Sequence, residues 1–351
     1  MRYNGSIDRE GRCKMLRISM MIMCLLVLLG CNNAPLEQEH YFSGRTMGTT
    51  YNVKYVSSDQ DDHVMLKALV DERLIGINQL MSTYIDDSEL SLFNQSSAHI
   101  PYLLSPETAL VIAEALRIGA LSEGTLDVTI GPLVNLWGFG PRKRPETIPT
   151  DLQISQAKQL SGLDKLKLTG LQLTKSVDEL YLDLSTIAKG YGVDAIAQIL
   201  LDAQINDFLV EIGGEMRVSG TKVNGDAWRI AIEKPVSSER AVQRIISVGN
   251  HAIATSGDYR NYFEEAGVRY SHLIDPNTGY PIQHNTVSAT IVHPSSMTAD
   301  GLATAMMVLS PDKAKALAER DNLALLLVLK EGDEFIEYQS SAFQQLVTMI
   351  N

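Results

Sequence analysis

The segment from Tyr270 to Thr304 holds side chains whose types and spacing suit them for chemistry. His272 ends a predicted strand and precedes a turn, Asp275 to Gly279, whose proline and glycine are typical of tight turns. Because an imidazole titrates near neutral pH, His272 is a candidate general base. A histidine in this position is also commonly structural, so this residue alone does not define a site.

Asp300 and Thr304 lie four positions apart, where the apolar segment 302–309 predicts a buried helix. Residues four apart share one helix face, so the carboxylate and the hydroxyl point the same way. Such hard oxygen ligands suit Mg²⁺, and with His272 the pair indicates metal-assisted chemistry on a phosphate. The structural alternatives are a helix cap for Asp300 and a bond from Thr304 to the carbonyl of residue 300.

Two other segments predict contacts to a ligand. Residues 124–141 contain four glycines, which let a backbone approach a ligand closely, and Asp127, which can accept hydrogen bonds from a heterocycle. Ser185 opens a predicted helix whose N-terminal amides suit a phosphate, and Lys189 adds positive charge there. An ordered loop and a capped surface helix are the structural alternatives.

Length and charge limit the possible classes of protein. The 351 residues can bury a sizeable core in one large domain or two small ones. A net charge of -12 argues against a nucleic-acid surface and against electrostatic adsorption to anionic lipid. We therefore expect no nucleic-acid partner.

The N-terminal region predicts an exported lipoprotein. A basic stretch, 12–17, precedes the apolar run 18–29, as in a secretory signal. The run ends in Leu28-Leu29-Gly30-Cys31, which is typical of a bacterial lipobox, where the signal is cut before a cysteine that then carries lipid. An uncut membrane anchor is the alternative, and translation starting at Met15 would shorten the leader. The mature chain would keep no cysteine except Cys31, so we expect neither disulfides nor thiol catalysis.

The elements that must position these residues follow from periodicity and turn residues. The pattern predicts helices at 63–81, 105–122, 185–201, 298–309 and 311–320. It predicts strands at 46–56, 165–175, 179–184, 210–216, 228–232, 252–255 and 287–292, and an apolar run at 323–329. Because strands outnumber helices and do not alternate regularly with them, we expect an α+β fold with a mainly antiparallel sheet.

Together these segments resemble the bacterial FAD:protein FMN transferases of the ApbE lipoprotein family. The resemblance covers about residues 42–345. Seven segments in order, behind a lipobox, make it specific. They are 44–51, 81–84 with 88–90, 131–141, 185–194, 255–260, 271–279 and 299–304.

The resemblance implies a T-fold-like body with a smaller α/β lobe and FAD bound between them, within a transferase domain at 41–351. Residues 1–30 would be the signal peptide, and 31–40 the lipidated Cys31 and a linker. The implied FAD site comprises Met47, Tyr84, Thr125, Leu126, Asp127, Ser185, Lys189, Tyr191 and Ile274. Asp300, Thr304 and the carbonyl of Ala188 would hold Mg²⁺, and His272 would be catalytic.

This sequence departs from the family pattern at two places. Thr125-Leu126 stands where Ala-Phe is common, which would alter flavin affinity if the aromatic ring packs against the flavin. Glu215 stands where Asp or Asn is common, so we leave it out of the expected site.

The implied reaction is Mg²⁺-dependent transfer of the FMN moiety of FAD to a threonine hydroxyl of a target flavoprotein, with release of AMP. Expected acceptors are subunits of NADH:quinone reductase or Rnf-type complexes. The protein would face the periplasm, lipid-anchored to the inner membrane. The alternatives are an Mg²⁺-dependent FAD pyrophosphatase giving FMN and AMP, and a non-enzymatic flavin-binding lipoprotein. His272 together with the Asp300–Thr304 pair favours an enzyme.

Overall fold

The computed structural model describes residues 36–58, 62–140, 147–234, 242–258, 262–265 and 268–350. The predicted signal peptide and Cys31 lie outside these residues, as do Tyr259 and Arg260. Gln38–Asn351 forms one compact unit. Within the described part of the chain, no helix combines the length and the apolar character needed to cross a membrane.

Several helices begin at side-chain caps that the sequence provides. Ser105 accepts a hydrogen bond from the N–H of Thr108, with Pro106 in the first turn, and Ser295 accepts one from the N–H of Thr298. The described helices are α1 (Asp62–Met81), α2 (Glu89–Gln95), α3 (Pro106–Leu121), α4 (Gly131–Leu136), α5 (Asp151–Gln159), α6 (Ala188–Asp202), α7 (Ser296–Val308), α8 (Pro311–Arg320) and α9 (Ser341–Leu346).

The strands have two to nine residues, and several consecutive pairs are joined by tight turns. Those described are β1 (Gln38–Thr46), β2 (Thr49–Ser57), β3 (Tyr102–Leu103), β4 (Leu166–Thr169), β5 (Gln172–Lys175), β6 (Phe208–Ile212), β7 (Glu215–Ser219), β8 (Ile230–Glu233), β9 (Val242–Ser247), β10 (Ala252–Gly257), β11 (Tyr262–Glu265), β12 (Val268–Ser271), β13 (Thr286–His293), β14 (Ala324–Glu331), β15 (Glu334–Gln339) and β16 (Thr348–Ile350).

Eight strands form the main sheet in the order β1-β2-β6-β7-β10-β13-β14-β15, with every neighbouring pair antiparallel. Successive side chains of a strand point to opposite faces, so the buried strands β13 and β14 contribute to two cores. Ile291 and Leu327 pack with α7 on one face, whereas Val292 and Leu326 pack on the other face with Phe343 of α9. The sheet is therefore covered on both sides.

A smaller sheet, in the order β3-β5-β4, lies with α2 and α3 in the same core that holds α7. Phe93 of α2, Ile112 of α3 and Leu173 of β5 all belong to it. This part is thus continuous with the main body. The expected α+β class with a mainly antiparallel sheet is confirmed.

Several expected elements have different bounds. The strand expected at 46–56 is interrupted by the turn at Met47–Gly48, so that it comprises the end of β1 and most of β2. The strand expected at 210–216 is the hairpin of β6 and β7, and 165–175 likewise contains β4 and β5. The strand expected at 179–184 is wrong, because there only Tyr181 forms a bridge, to Ile130.

Candidate active site

The position of α7 depends on one partly buried carboxylate of α6. Asp194 accepts hydrogen bonds from the hydroxyl of Ser295, at 2.7 Å, and from the N–H groups of Ser296 and Met297. A carboxylate at a helix N-terminus satisfies free amides and complements the helix dipole. Arg217 in turn pairs with Asp194 at 2.9 Å. These bonds hold the start of α7 against α6.

The two helices approach so closely that only glycine fits at one position. A Cβ on Gly190 would lie 2.3 Å from the carbonyl oxygen of Ser296 and 2.8 Å from Cβ of Asp300. The N–H of Gly190 donates to Oδ2 of Asp300 at 3.0 Å. The close approach therefore fixes where Asp300 points.

Lys189 lies between two buried carboxylates. Its Nζ is 3.6 Å from Oδ1 of Asp300 and 3.3 Å from Oε1 of Glu215. Burial disfavours the ammonium ion, but the two carboxylates outweigh burial and raise the pKa of Lys189. Burial raises the pKa of Asp300, against the opposing effect of Lys189. One ammonium facing two carboxylates leaves the cluster with surplus negative charge when both are ionised.

Glu215 belongs to this cluster, although sequence reasoning left it out. It is 5% exposed, and its Oε2 has no hydrogen-bond partner among the described residues. Burial raises the pKa of Glu215 to about 8, and Asp300 acts in the same direction. The available signal was the hairpin turn Gly213-Gly214, which pairs Glu215 with the buried Ile212 and so puts both on one face of the sheet.

His272 follows β12 at the wall of the same cavity. Its ring lies 6.3 Å from that of Phe139, edge to face. The turn after it is held by Trp137, the residue that follows α4, whose indole N–H donates to the carbonyl of Gly279 at 2.9 Å. His272 thus stands between an aromatic wall and an anchored turn.

Lys189, Glu215 and His272 line one cavity of about 390 Å³, here named the acidic cavity. Its lining includes Asp127, Lys189, Glu215, His272, Ile274, Asp300 and Thr304. The hydroxyl of Thr304 lies 3.2 Å from that of Ser256, and both face the cavity. The predicted base and the predicted magnesium pair are therefore brought together.

A second cavity of about 590 Å³ adjoins the first. Tyr84, Asp183, Ser185 and Lys189 line both cavities. Met47, at the hairpin turn, lines the adjoining cavity together with Ala188, the first residue of α6. Met47 has a φ of 48°, an uncommon value for a residue other than glycine. Together the two cavities offer an elongated site with a charged part and a more apolar part.

The segment 125–127 meets the acidic cavity in three different ways. The hydroxyl of Thr125 donates to the carbonyls of Ser122 and Ala305, so it serves the fold. Leu126 is 1% exposed and packs in the core. Asp127 accepts bonds from the N–H and hydroxyl of Thr129, both on Oδ1, and burial raises its pKa.

Tyr191 is the one expected FAD residue that lines neither cavity. Its hydroxyl donates to Glu107 at 2.8 Å and accepts a bond from Arg73 at 3.1 Å. Burial, followed by the contact with Glu107, raises the pKa of Tyr191 to about 12, against the smaller opposing effect of Arg73. In the structure Tyr191 therefore joins α6 to α1 and α3.

The donor set suits a hard cation better than a soft one. No group of three or more His, Cys, Asp or Glu side chains that could hold a metal occurs among the described residues. Asp300, Thr304 and the unpartnered oxygen of Glu215 supply oxygen ligands. Mg²⁺ is commonly held by one or two carboxylates together with substrate phosphates, so these residues fit it.

Comparison with known proteins identifies the family of the chain. The model of the ApbE family matches residues 47–327. A Vibrio cholerae protein named FAD:protein FMN transferase is 50% identical over 325 residues, covering 92% of this chain and 97% of that protein. An Escherichia coli protein of the same name is 39% identical over 337 residues, covering 93% and 96%.

Solved structures give the same result. The flavin transferase ApbE from Vibrio cholerae superposes with a TM-score of 0.83 at 48% identity, covering 88% of this chain and 99% of that one. The apo flavinyl transferase ApbE from Pseudomonas stutzeri gives a TM-score of 0.82 at 40% identity, covering 88% and 97%.

The fold and these relatives define an enzyme of the transferase class. The chain belongs to the ApbE family.

Proposed function

We propose that this chain transfers the FMN moiety of FAD to a threonine hydroxyl of a target flavoprotein and releases AMP. The observation that carries the proposal is the acidic cavity, where His272, Lys189, Asp300 and Thr304 meet beside a second cavity. A dinucleotide needs such an elongated site. The names of the relatives, FAD:protein FMN transferase, support the same activity.

Asp300, Thr304, Glu215 and the carbonyl of Ala188 are the groups that would hold Mg²⁺. When bound, the ion would offset the charge of the pyrophosphate. The role of Lys189 is electrostatic, because its ammonium faces the acidic cavity from the first turn of α6 and can attract a phosphate.

His272 acts in this proposal as the general base. It accepts the proton of the threonine hydroxyl while the threonine oxygen forms a bond to the phosphorus of the FMN moiety. The bond from that phosphorus to the AMP oxygen breaks, and AMP leaves. Phe139 and the anchored turn limit how the imidazole can move, which keeps it aimed into the cavity.

The FAD site of the proposal comprises Met47, Tyr84, Thr125, Leu126, Asp127, Ser185, Lys189, Tyr191 and Ile274. Met47 and Tyr84 would contact FAD in the adjoining cavity, and Asp127 and Ile274 in the acidic cavity. Tyr191 would act indirectly, by positioning α6 through its bond to Glu107.

The proposed location is the periplasmic face of the inner membrane, reached through a signal peptide and a lipid on Cys31. Proposed acceptors are threonine-containing subunits of NADH:quinone reductase or Rnf-type complexes. The lipobox sequence supports the proposed location, and the resemblance to the family supports the proposed acceptors.

The test combines the chain with FAD, Mg²⁺ and a peptide that carries a threonine from a candidate acceptor. A peptide mass increased by one FMN residue, with AMP released, is the expected result. Free FMN and AMP beside unmodified peptide would establish the pyrophosphatase instead, and intact FAD in repeated trials would leave a binding protein.

Two variants, each with a matched control, test the proposed roles of His272 and Asp300. We expect His272→Ala to lower the transfer rate by about 10²–10⁴-fold at unchanged FAD affinity, because only the proton acceptor is lost. His251→Ala, at a residue that lines neither cavity, should keep normal activity. Asp300→Ala should abolish Mg²⁺-dependent transfer. The matched control Asp312→Ala, at an exposed position, should retain it. Full, Mg²⁺-dependent transfer by Asp300→Ala would refute the metal assignment.

A further inference from the structure

Helix α1 has two apolar faces, of which only one is packed. Its inward face consists of buried side chains, Leu66, Val70, Leu74, Ile77 and Met81. Its outward face carries Val64, Met65, Leu69 and Ile75, which are 76%, 57%, 44% and 71% exposed. We name these four residues the α1 stripe. Several exposed apolar residues on one side of a helix commonly mark a surface that binds something.

The α1 stripe continues into a groove between α1 and α6. Met65, Leu69 and Gly76 line it on one side, and Ile199 and Ala203 on the other, around a cavity of about 680 Å³. Three charged residues also line this groove, namely Glu72, Asp202 and Arg73. Arg73 is already paired with Glu107 at 2.6 Å, so the remaining charge is acidic.

The stripe begins where the folded body receives the N-terminal segment. β1 starts at Gln38, and the ring of His40 lies 6.2 Å from that of His63 in the first turn of α1. Residues 31–37 can span at most about 25 Å when extended. A lipid on Cys31 would therefore keep this end of α1 close to a bilayer. Such a tether raises the effective concentration of lipid, so that even weak apolar contacts suffice for docking.

We propose that the α1 stripe is the surface by which this protein lies on the lipid bilayer. The proposal rests on the lipid anchor of the proposed function. Zwitterionic lipid is the favoured partner, because the groove is acidic and the chain has a net charge of -12. A second copy of the chain is disfavoured, because an interface of two grooves would bring Glu72 and Asp202 of both copies together.

This orientation has a consequence for the site. α1 has 20 residues and is therefore about 30 Å long. Its far end contributes Ile77 and Met81 to the adjoining cavity, and Tyr84 follows. With α1 lying along the bilayer, the cavity wall formed by α1 stays about one helix diameter, 10–12 Å, from the lipid surface, within reach of a membrane-embedded acceptor that presents its threonine there.

The test uses the full lipidated chain in phosphatidylcholine vesicles, with a spin label on one introduced cysteine. The mature chain would hold no cysteine except Cys31, whose sulfur carries the lipid, so Leu69→Cys offers the single reactive thiol. The matched control is Ile336→Cys, equally apolar and similarly exposed at 41%. It lies in β15 at the opposite edge of the eight-stranded sheet, about 34 Å from β1 at about 4.8 Å per strand.

We expect the label at Leu69→Cys to be several-fold more accessible to oxygen than to a polar nickel complex, as in lipid, and insensitive to salt. The label at Ile336→Cys should behave as in water. Equal, water-like behaviour of both labels on floating vesicles would overturn the surface assignment alone. A chain that does not float with the vesicles would overturn the lipid anchor and the proposal together.

The other possible occupants give different spectra. Dipolar broadening between Leu69→Cys labels would show that a second copy covers the stripe. A label shielded from both oxygen and nickel would show that a protein covers it. Either result overturns the proposal. Unchanged transfer of FMN to a soluble peptide confirms that the labelled chains are folded.

Discussion

Gly190→Ala tests whether the contact of α6 with α7 positions Asp300 in the acidic cavity. A Cβ at this position would lie 2.3 Å from the carbonyl oxygen of Ser296, 2.7 Å from its carbon and 2.8 Å from Cβ of Asp300. Two of these neighbours are backbone atoms, so the helices themselves must separate by roughly 1 Å to restore ordinary van der Waals distances. The bond from the Gly190 N–H to Asp300 is strained by the same movement.

The magnitude follows from three contributions. Overpacking in a tight core costs about 1–3 kcal/mol. A hydrogen bond to a charged group contributes about 1.5–3 kcal/mol, part of which is lost. Replacing glycine by alanine within a helix returns about 0.8–1 kcal/mol. We therefore expect Gly190→Ala to lower the free energy of unfolding by about 1–4 kcal/mol.

Gly76→Ala in α1 is the matched control, since a Cβ there meets no atom within 4 Å. It should raise the free energy of unfolding by about 0.8–1 kcal/mol. The assay is urea unfolding followed by circular dichroism without FAD or Mg²⁺, with FAD affinity and transfer rate measured in parallel. Equal stability of the two variants, with normal transfer by Gly190→Ala, would refute the argument that this contact holds Asp300 in place.

Three other changes test the surrounding structure. Trp137→Phe removes the hydrogen bond to the carbonyl of Gly279, and we expect it to lower the free energy of unfolding in urea by about 1–3 kcal/mol. An unchanged midpoint would show that the bond does not anchor the turn after His272. Asn94→Ala leaves the backbone N–H and carbonyl of Leu182 without their side-chain amide partner. Because Leu182 precedes Asp183 in the cavity wall, this change should raise the KM for FAD more than it lowers kcat. An unchanged KM would contradict this expectation. Glu114 has a pKa below its usual value, since hydrogen bonds from Arg117 and Thr298 outweigh the larger single effect of burial. Its stabilising effect should be complete above the unfolded pKa of about 4.3 and disappear as the pH falls through the lower folded pKa. The stability difference between the wild type and Glu114→Gln, from urea unfolding at several pH values, should therefore shrink from about pH 5 downwards, and a difference that is constant with pH would argue against the assignment.

The sequence predicted most reliably those elements whose signals are local. The apolar spacing at 63–81 and the Ser105-Pro106 cap gave α1 and α3 nearly to the residue. The strand expected at 179–184 was wrong because an apolar run cannot reveal whether a neighbouring strand is available to pair with it. The sequence analysis missed most of β1, because only a few of its residues, Phe42 among them, are apolar and the alternation typical of a strand is therefore weak.

The site was predictable to the extent that its residues share one element. Asp300 and Thr304 lie on one face of α7, as their spacing indicated, and both line the acidic cavity. The contact of Lys189 with Asp300 joins two helices, and no local pattern predicts such a tertiary contact. Glu215 was excluded on the basis of its residue type, although its pairing with Ile212 across the glycine turn determines which way it points.

The order of strands in the main sheet also determines when a flavin site can exist during folding. Tyr51 of β2 pairs with Ile212 of β6, and Ile291 of β13 with Leu325 of β14, so the sheet joins parts of the chain that are made far apart in time. The entropy cost of closing such long loops arises before the contacts that stabilise them form, and this makes folding slow and cooperative. The walls of the acidic cavity extend from Tyr84 to Val308. A partly synthesised chain therefore lacks a complete acidic cavity, and the proposed FAD site exists only in a body that has folded in full.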